Sequence, residues 1–369
     1  MTAPLVTRLL SRLKDQTDPQ RRGSITAELA CYYARIGEFE KVEELRKVLR
    51  EEFSDGRSAS VSISIMILEA LLLYFRELSA NARDRLLRAN LLSKAFREAR
   101  LVSLTSAWLA HIDFNQGRYD SMAVSIQSVF DSIESDDGSA ACRVAIVLGD
   151  AFSFCRQPEV ARKWYEAAHK LAAVLGDQAA VGALTYNRAA LHVSSLRLDS
   201  LSNESDSNDI SLAHVELRSA VNYQLIARLK SLNHLLQSAT IGVAILEKRY
   251  TDALTVLQDS SFTSEVPVAS AESAMQRADL AMCLAQVGRI AESQQVAKEA
   301  AAMQLDEFGA DDRALIFGSL ARASKTSPDE GVARAYLGQA LAALSEHNSI
   351  IGVIGGLITE YREPSQLIN

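Results

Sequence analysis

The 369-residue chain is 48% apolar and 23% charged, enough apolar surface to bury an extended core, which excludes a disordered chain. Its formal net charge of -7 gives it no general attraction for nucleic acid. The charge is uneven: residues 1–120 carry 19 Lys and Arg against 16 Asp and Glu, and residues 121–369 carry 20 against 30. The basic excess gathers at Arg83, Arg85, Arg88, Lys94, Arg97 and Arg100, which reads as a solvated helix face, with a dock for an acidic partner as the alternative. Four scattered cysteines, Cys31, Cys142, Cys155 and Cys283, form no C-x-x-C pair and suit a reducing compartment.

Taken in chain order, residues 1–23 are expected to form an N-terminal capping helix. Arg8 and Arg12 interrupt its apolar residues, so it lacks the unbroken apolar core of a signal peptide. The longest apolar stretch, Val61 to Phe75, contains Ser62, Ser64 and Glu69 and reads as too short to span a bilayer. A cytoplasmic location and no membrane contact are the expectations. Helical periodicity runs through the chain, as in Ile65-Leu68-Leu72-Phe75 and Leu280-Leu284-Val287, and strand signals are nearly absent.

A longer period overlies this one. Turns read Gly37-Glu38-Phe39, Gly117-Arg118-Tyr119 and Gly288-Arg289-Ile290, with Lys248-Arg249-Tyr250 in an equivalent place and less regular turns near Ser79, Gln157, Arg197 and Ser327. The steps between turns are 38 to 42 residues except one of 52, which contains the 13-residue polar stretch Asp199 to Ser211. A fixed period of this size marks stacked helical hairpins, none of which can bury both its faces alone. Eight hairpins are predicted over 24–53, 61–99, 100–135, 139–176, 178–229, 232–262, 269–305 and 310–345. Glycine at the turn supplies a positive φ, and Ala161, Ala253 and Ser293 sit where the second helix must approach the first closely. Residues 199–211 read as a polar loop insertion, either a tolerated loop or a gate. Residues 346–369 read as a C-terminal capping helix and tail, with Ser345 to Tyr361 as the closing helix. The apolar run Ile350 to Ile358 in it is expected to pack on the eighth hairpin, with a homodimer contact through that helix as the alternative.

The segments Leu148-Gly149 … Phe152 … Ala161, Leu29-Ala30 … Tyr33 … Gly37-x-Phe39 and Leu280-Ala281 … Leu284 … Gly288 resemble the tetratricopeptide repeat. Lys163-Trp164-Tyr165-Glu166-Ala167-Ala168 … Leu175-Gly176-Asp177 is similar to the second helix and closing L-G-D of the longer variant in bacterial transcription regulators and peptide-sensing receptors. The resemblance covers residues 24–345. It implies an all-α, right-handed superhelical solenoid of about eight antiparallel hairpins, whose first helices line a concave groove. It also implies a bacterial protein- or peptide-binding scaffold or regulatory adaptor, with a peptide or small-molecule sensor that changes shape on binding as the alternative. Transferred geometry puts His111, Phe114 and Asn115 in the groove, and Tyr186, Asn187 and Arg188 in a first helix. An Asn amide matches a peptide backbone and an Arg fork matches a carboxylate, whereas helix capping by Asn115 and a plain surface charge at Arg188 are the simpler roles. The family's spaced Lys-Asn-Asn-Lys-Arg clamp is not found.

Nothing in the sequence asks for catalysis. Gly352-x-x-Gly355-Gly356 has no following Lys, no H-E-x-x-H or G-x-S-x-G occurs, and the six histidines are scattered. Glu43-Glu44, Glu51-Glu52 and Asp136-Asp137 fit helix ends and polar faces. No enzyme activity, metal or cofactor is expected, and the partner is expected to be a protein or peptide.

Overall fold

A computed structural model describes residues 3–53, 56, 58–77, 79, 81–134, 137–202, 206–231, 233–259, 270–325 and 330–368. Every regular element among them is a helix. In chain order these are α1 Pro4–Asp15, α2 Pro19–Ile36, α3 Phe39–Phe53, α4 Ala59–Glu77, α5 Asn81–Ala95, α6 Ala99–Asn115, α7 Tyr119–Ser132, α8 Gly138–Phe154 and α9 Pro158–Leu175. There follow α10 Gln178–Asp199, α11 Ser207–Ala227, α12 Asn233–Leu246, α13 Tyr250–Leu257, α14 Ala271–Gln286 and α15 Ile290–Ala301. A 3-10 turn, Leu305–Glu307, precedes α16 Ala310–Ser324, α17 Glu330–Leu357 and α18 Ser365–Ile368.

The helices pack in adjacent pairs, α2 on α3, α4 on α5, α6 on α7, α8 on α9, α12 on α13 and α14 on α15. The first helix of one pair also meets the first helix of the next: α2 meets α4, α4 meets α6, α6 meets α8, and α14 meets α16. Five of the turns inside these pairs close in the same way, as do the turns at Arg97 and Gly176 that lead from one pair to the next. At Gly37, Gly117, Arg156, Lys248 and Gly288 the backbone enters the left-handed region. There the residue's own N–H bonds the carbonyl three back, as Gly117 N does to Phe114 O at 3.1 Å. The next N–H bonds the carbonyl five back, as Arg118 N does to Asp113 O at 2.8 Å. Only three of the five are glycines, so the geometry repeats where the residue type does not. Ala161, Ala253 and Ser293, each near the start of a second helix, are at most 2% exposed, and Ser293 Oγ donates to Ala281 O at 2.7 Å.

The chain forms two compact units, Met1–Leu184 with Tyr223–Ser231 and Ile354–Asn369, and Thr185–Asn222 with Leu232–Val353. The first is tied together by contacts between distant segments. Leu5 N donates to Gly176 O at 3.2 Å and Arg8 to Leu175 O at 2.8 Å, docking α1 on the end of α9. Lys230 N donates to Ile36 O at 2.9 Å and Ser231 Oγ to Arg35 O at 2.6 Å. In the second unit, α14 packs on α13, α15 and α16, and buried Asp279 accepts from Arg197 at 2.6 Å and from Ser319 at 2.7 Å.

Four sequence expectations meet a different structure. Residues 1–23 hold α1 and the start of α2, because Asp18 caps a new helix: its carboxylate accepts from Gln20 N and Arg21 N, with Pro19 at the first position. The turn expected near Arg197 falls later, since α10 runs to Asp199, and Ser207 to Ser211 already belong to α11. The eighth turn, near Ser327, lies outside the described residues. Ser345 to Tyr361 is no separate closing helix, because α17 is continuous from Glu330 to Leu357. The apolar run Ile350 to Ile358 divides, with residues 350–353 in the second unit beside the eighth hairpin and residues 354–358 in the first. Ile354 and Ile358 are fully buried, Tyr361 stacks on Phe130 of α7 with ring centroids 4.9 Å apart, and Trp164 of α9 donates to Tyr361 O at 2.7 Å.

The apolar stretch from Val61 to Phe75 is also longer than it reads. It lies inside α4, whose Ala59–Arg76 segment is long and apolar enough to cross a membrane by length and composition alone. In the structure that helix packs on α2 and α5, with Val61, Ile63, Ile67, Leu68 and Leu71 at most 2% exposed in the main core of the first unit.

Candidate functional site

Four first helices of the first unit turn one stripe each toward a shared cavity of about 570 Å3. On α4 the stripe is Ser60, Ser64, Ile67 and Leu71, and on α6 it is Leu101, Leu104 and Trp108; spacings of three and four hold these side chains on one face. α2 contributes Ser24, Glu28, Cys31 and Arg35, and α8 contributes Ser139, Ala140 and Arg143. Exposed Arg12, Asp18, Gln20 and Arg21 mark the mouth, and buried Leu71, Trp108, Cys142 and Arg143 mark the floor. The volume lies in the range of small-molecule pockets, and polar and charged residues outnumber apolar ones along the wall, the apolar ones gathering around Ile67, Leu71, Leu101, Leu104 and Trp108.

Arg143 is the unusual group. It stands in the run Ala140-Ala141-Cys142-Arg143-Val144-Ala145-Ile146-Val147-Leu148 of α8, every residue of which is buried. Its guanidinium carbon lies 3.9 Å from the Trp108 ring centroid, a cation–π stack. Burial, and next the charge of nearby Arg35, pull it down to about 10, so it remains a cation at neutral pH. The other arginines of the wall have carboxylate partners: Arg35 with Asp177 at 2.7 Å, Arg100 with Asp137 at 3.4 Å, Arg21 with Asp18 at 3.8 Å and Arg12 with Glu28 at 4.0 Å. Among the described residues Arg143 has neither a carboxylate nor a hydrogen-bond acceptor.

The sequence-predicted residues fall beside this cavity or elsewhere. His111 lies one turn beyond Trp108 on α6, with ring centroids 5.6 Å apart, and is 8% exposed. Burial, and then the charge of Arg143, hold it well below its ordinary pKa, so the ring is neutral. Its Nε2 lies 3.2 Å from Tyr74 Oη, to which Asn115 Nδ2 donates at 3.0 Å, and its buried Nδ1 has no partner. His111 and Asn115 therefore meet at Tyr74, and neither lines the cavity. Phe114 turns aside to an aromatic group with Tyr119 and Phe154. Tyr186, Asn187 and Arg188 belong to the second unit, where Tyr186 packs against a core around Ala189 and Val193. Arg188 donates from one nitrogen to Glu216, which also bonds His192 at 2.9 Å.

Periodicity alone passes over Arg143 and Trp108. The missed signal is a lone arginine inside an apolar helical run, which has no reason to be there unless something holds the charge.

Burial pushes the Cys31 and Cys142 thiols on the wall up to about 12, which keeps them protonated and poorly nucleophilic. Among the described residues no group of three His, Cys, Asp or Glu side chains is arranged to hold a metal ion.

Compared with protein-family models, the chain matches none, and no curated protein is similar to it in sequence.

Proposed function

We propose that the chain is a non-catalytic ligand-binding protein, built as a tetratricopeptide-like solenoid of helix hairpins, that holds a small molecule or a short peptide segment on the concave side of its first four hairpins. The cavity lined by successive first helices carries this reading, because that is the side on which a hairpin solenoid presents its groove. The shared turn geometry and the first-helix contacts support the solenoid. A half-open concave pocket of about 570 Å3 suits a ligand or a chain end better than the broad face of a folded partner, which favours the sensor over the scaffold. A cytoplasmic regulator in a bacterium that responds to such a ligand fits the regulator-like repeats.

The test is a thermal-shift screen of purified protein against a mixed panel of small acids, amines, neutral compounds and short peptides, run beside a Ser64→Phe variant. Ser64 is half-buried on the wall, so the ring should fill the cavity while the fold, checked by circular dichroism, is kept. Compounds that raise the wild-type melting temperature and lose that effect in Ser64→Phe support the reading. A panel without one such compound retires it.

A further inference from the structure

We infer that the cavity is a monocarboxylate site, in which Arg143 takes the carboxylate of a ligand whose apolar body lies against Leu71, Leu104 and Trp108. This rests on the proposed binding function and names the chemistry of its ligand.

The charge pattern of the wall leads there. Four of the five arginines lining the cavity stand within 4.0 Å of a carboxylate, and Arg143, 5% exposed, stands apart from all of them. A guanidinium set into an apolar helical run with no acceptor from the protein is expensive to keep, and this one opens only onto the cavity that it lines. Trp108 meets only the face of the group. The five N–H donors lie in its plane, and that edge is what a carboxylate engages with two parallel bonds. A stacked, buried and otherwise unbonded guanidinium at the floor of a cavity is therefore arranged as a receptor.

The charges around Arg143 itself set the ligand's charge. Arg35 is near enough to depress Arg143, but its own guanidinium is held by Asp177 at 2.7 Å. A dianion, such as a phosphate monoester, would bring a second negative charge toward Asp177 with no second free cation to meet it. A single carboxylate is matched one to one. The stripe of Ile67, Leu71, Leu101 and Leu104 beside it asks for an aliphatic or aromatic body and gives a second amine or carboxyl no partner.

Two sources present this chemistry, a free apolar acid and the C-terminus of a peptide ending in apolar residues. The experiment compares acid and amide in each: octanoate with octanamide, and acetyl-Ala-Leu-Leu as the free acid with its C-terminal amide, by titration calorimetry on the full chain. In wild type at least one acid should bind about tenfold or more tighter than its amide, the preference expected of a charge-assisted bidentate pair. Which pair discriminates tells the free acid from the chain end. Arg143→Gln should erase the preference, and Arg143→Lys should retain part of it. Because Arg143 has no hydrogen-bonded or carboxylate partner to abandon, and its stack on Trp108 is all that the change removes, Arg143→Gln should melt close to the wild-type temperature, whereas an arginine kept for a structural ion pair would lower it by several degrees. Amides that bind wild type as well as their acids overturn the carboxylate assignment while leaving the cavity reading intact, as does a preference that survives Arg143→Gln. If none of the four probes binds, the assignment falls, and the Ser64→Phe screen decides separately whether the cavity reading falls with it.

Discussion

The Arg35 guanidinium and the Asp177 carboxylate, 142 residues apart in the chain, meet at 2.7 Å with both side chains largely buried. Arg35 ends α2, and Asp177 begins α10, where its other oxygen accepts from Ala180 N at 3.0 Å. One carboxylate thus caps a helix and ties the first hairpin to the turn that follows the fourth. Removing one partner of a buried pair strands the other, so Asp177→Ala should destabilise the protein by about 3–5 kcal/mol. Urea unfolding measures this, and adding Arg35→Met should recover part of the loss. A cost equal to that of a surface aspartate would show the pair to be idle.

Gly176 is held by two constraints at once. Its φ of 63° lies in the left-handed region, and a Cβ there would stand 2.8 Å from Pro4 Cβ and 3.0 Å from Leu5 N. Gly176→Val should therefore cost more than the roughly 1–2 kcal/mol of a left-handed non-glycine alone, because α1 must also move away. Limited tryptic digestion should then cut at Arg8 and Arg12 faster than in wild type. Unchanged protection would mean that α1 does not rest on this turn.

Lys248 tells the opposite story. It carries a φ of 60° in the place that glycine holds in three sister turns. Lys248→Gly should relieve that strain and gain about 0.5–1 kcal/mol, less than the full steric term because glycine also gains freedom in the unfolded chain. A lower urea midpoint in the variant would contradict this.

Asp312, in the first turn of α16, gives the second unit a pH dependence. Burial, followed by the charges of Asp311 and Glu272, raises its carboxyl to about 7. The unfolded carboxyl titrates near 4, at about 3.9, so the folded state binds the extra proton between those limits. Asp312 therefore weakens the fold as pH rises from about 4 through about 7 and adds no further change above that. Urea midpoints at pH 5 and pH 8 should differ less in Asp312→Asn than in wild type. An equal difference in the two proteins would place the titration elsewhere.

The sequence made the local geometry readable and left the distant ties hidden. The hairpin turns could be read at Gly37, Gly117 and Gly288 because glycine after an apolar stripe carries its own conformational reason. Arg156 and Lys248 adopt the same geometry without glycine, so residue type gives less warning there, and spacing had to supply it. The polar stretch from Asp199 reads longer than the loop it contains because Ser and Asp also begin helices, as they do at Ser207. Arg35 with Asp177, α1 on Gly176 and Tyr361 on Trp164 have no period to betray them. Within the candidate site, the sequence points to His111, Phe114 and Asn115 on α6, whereas the part of that helix lining the cavity is Leu101, Leu104 and Trp108, and only the fold brings Arg143 against that ring.

The bond from the Trp164 indole to the Tyr361 carbonyl has a bearing on how the protein is born. The first unit begins with the opening residues of the chain and takes its last piece from residues 354 onward. At a synthesis rate of about 5–20 residues per second, the nascent first unit waits roughly 10–35 s between the emergence of Leu184 and that of Tyr361. Throughout that interval the Trp164 N–H lacks its acceptor and the Phe130 ring its cover. Early release of the polypeptide from the ribosome would therefore leave an unsealed apolar seam, the kind of surface to which holding chaperones attach.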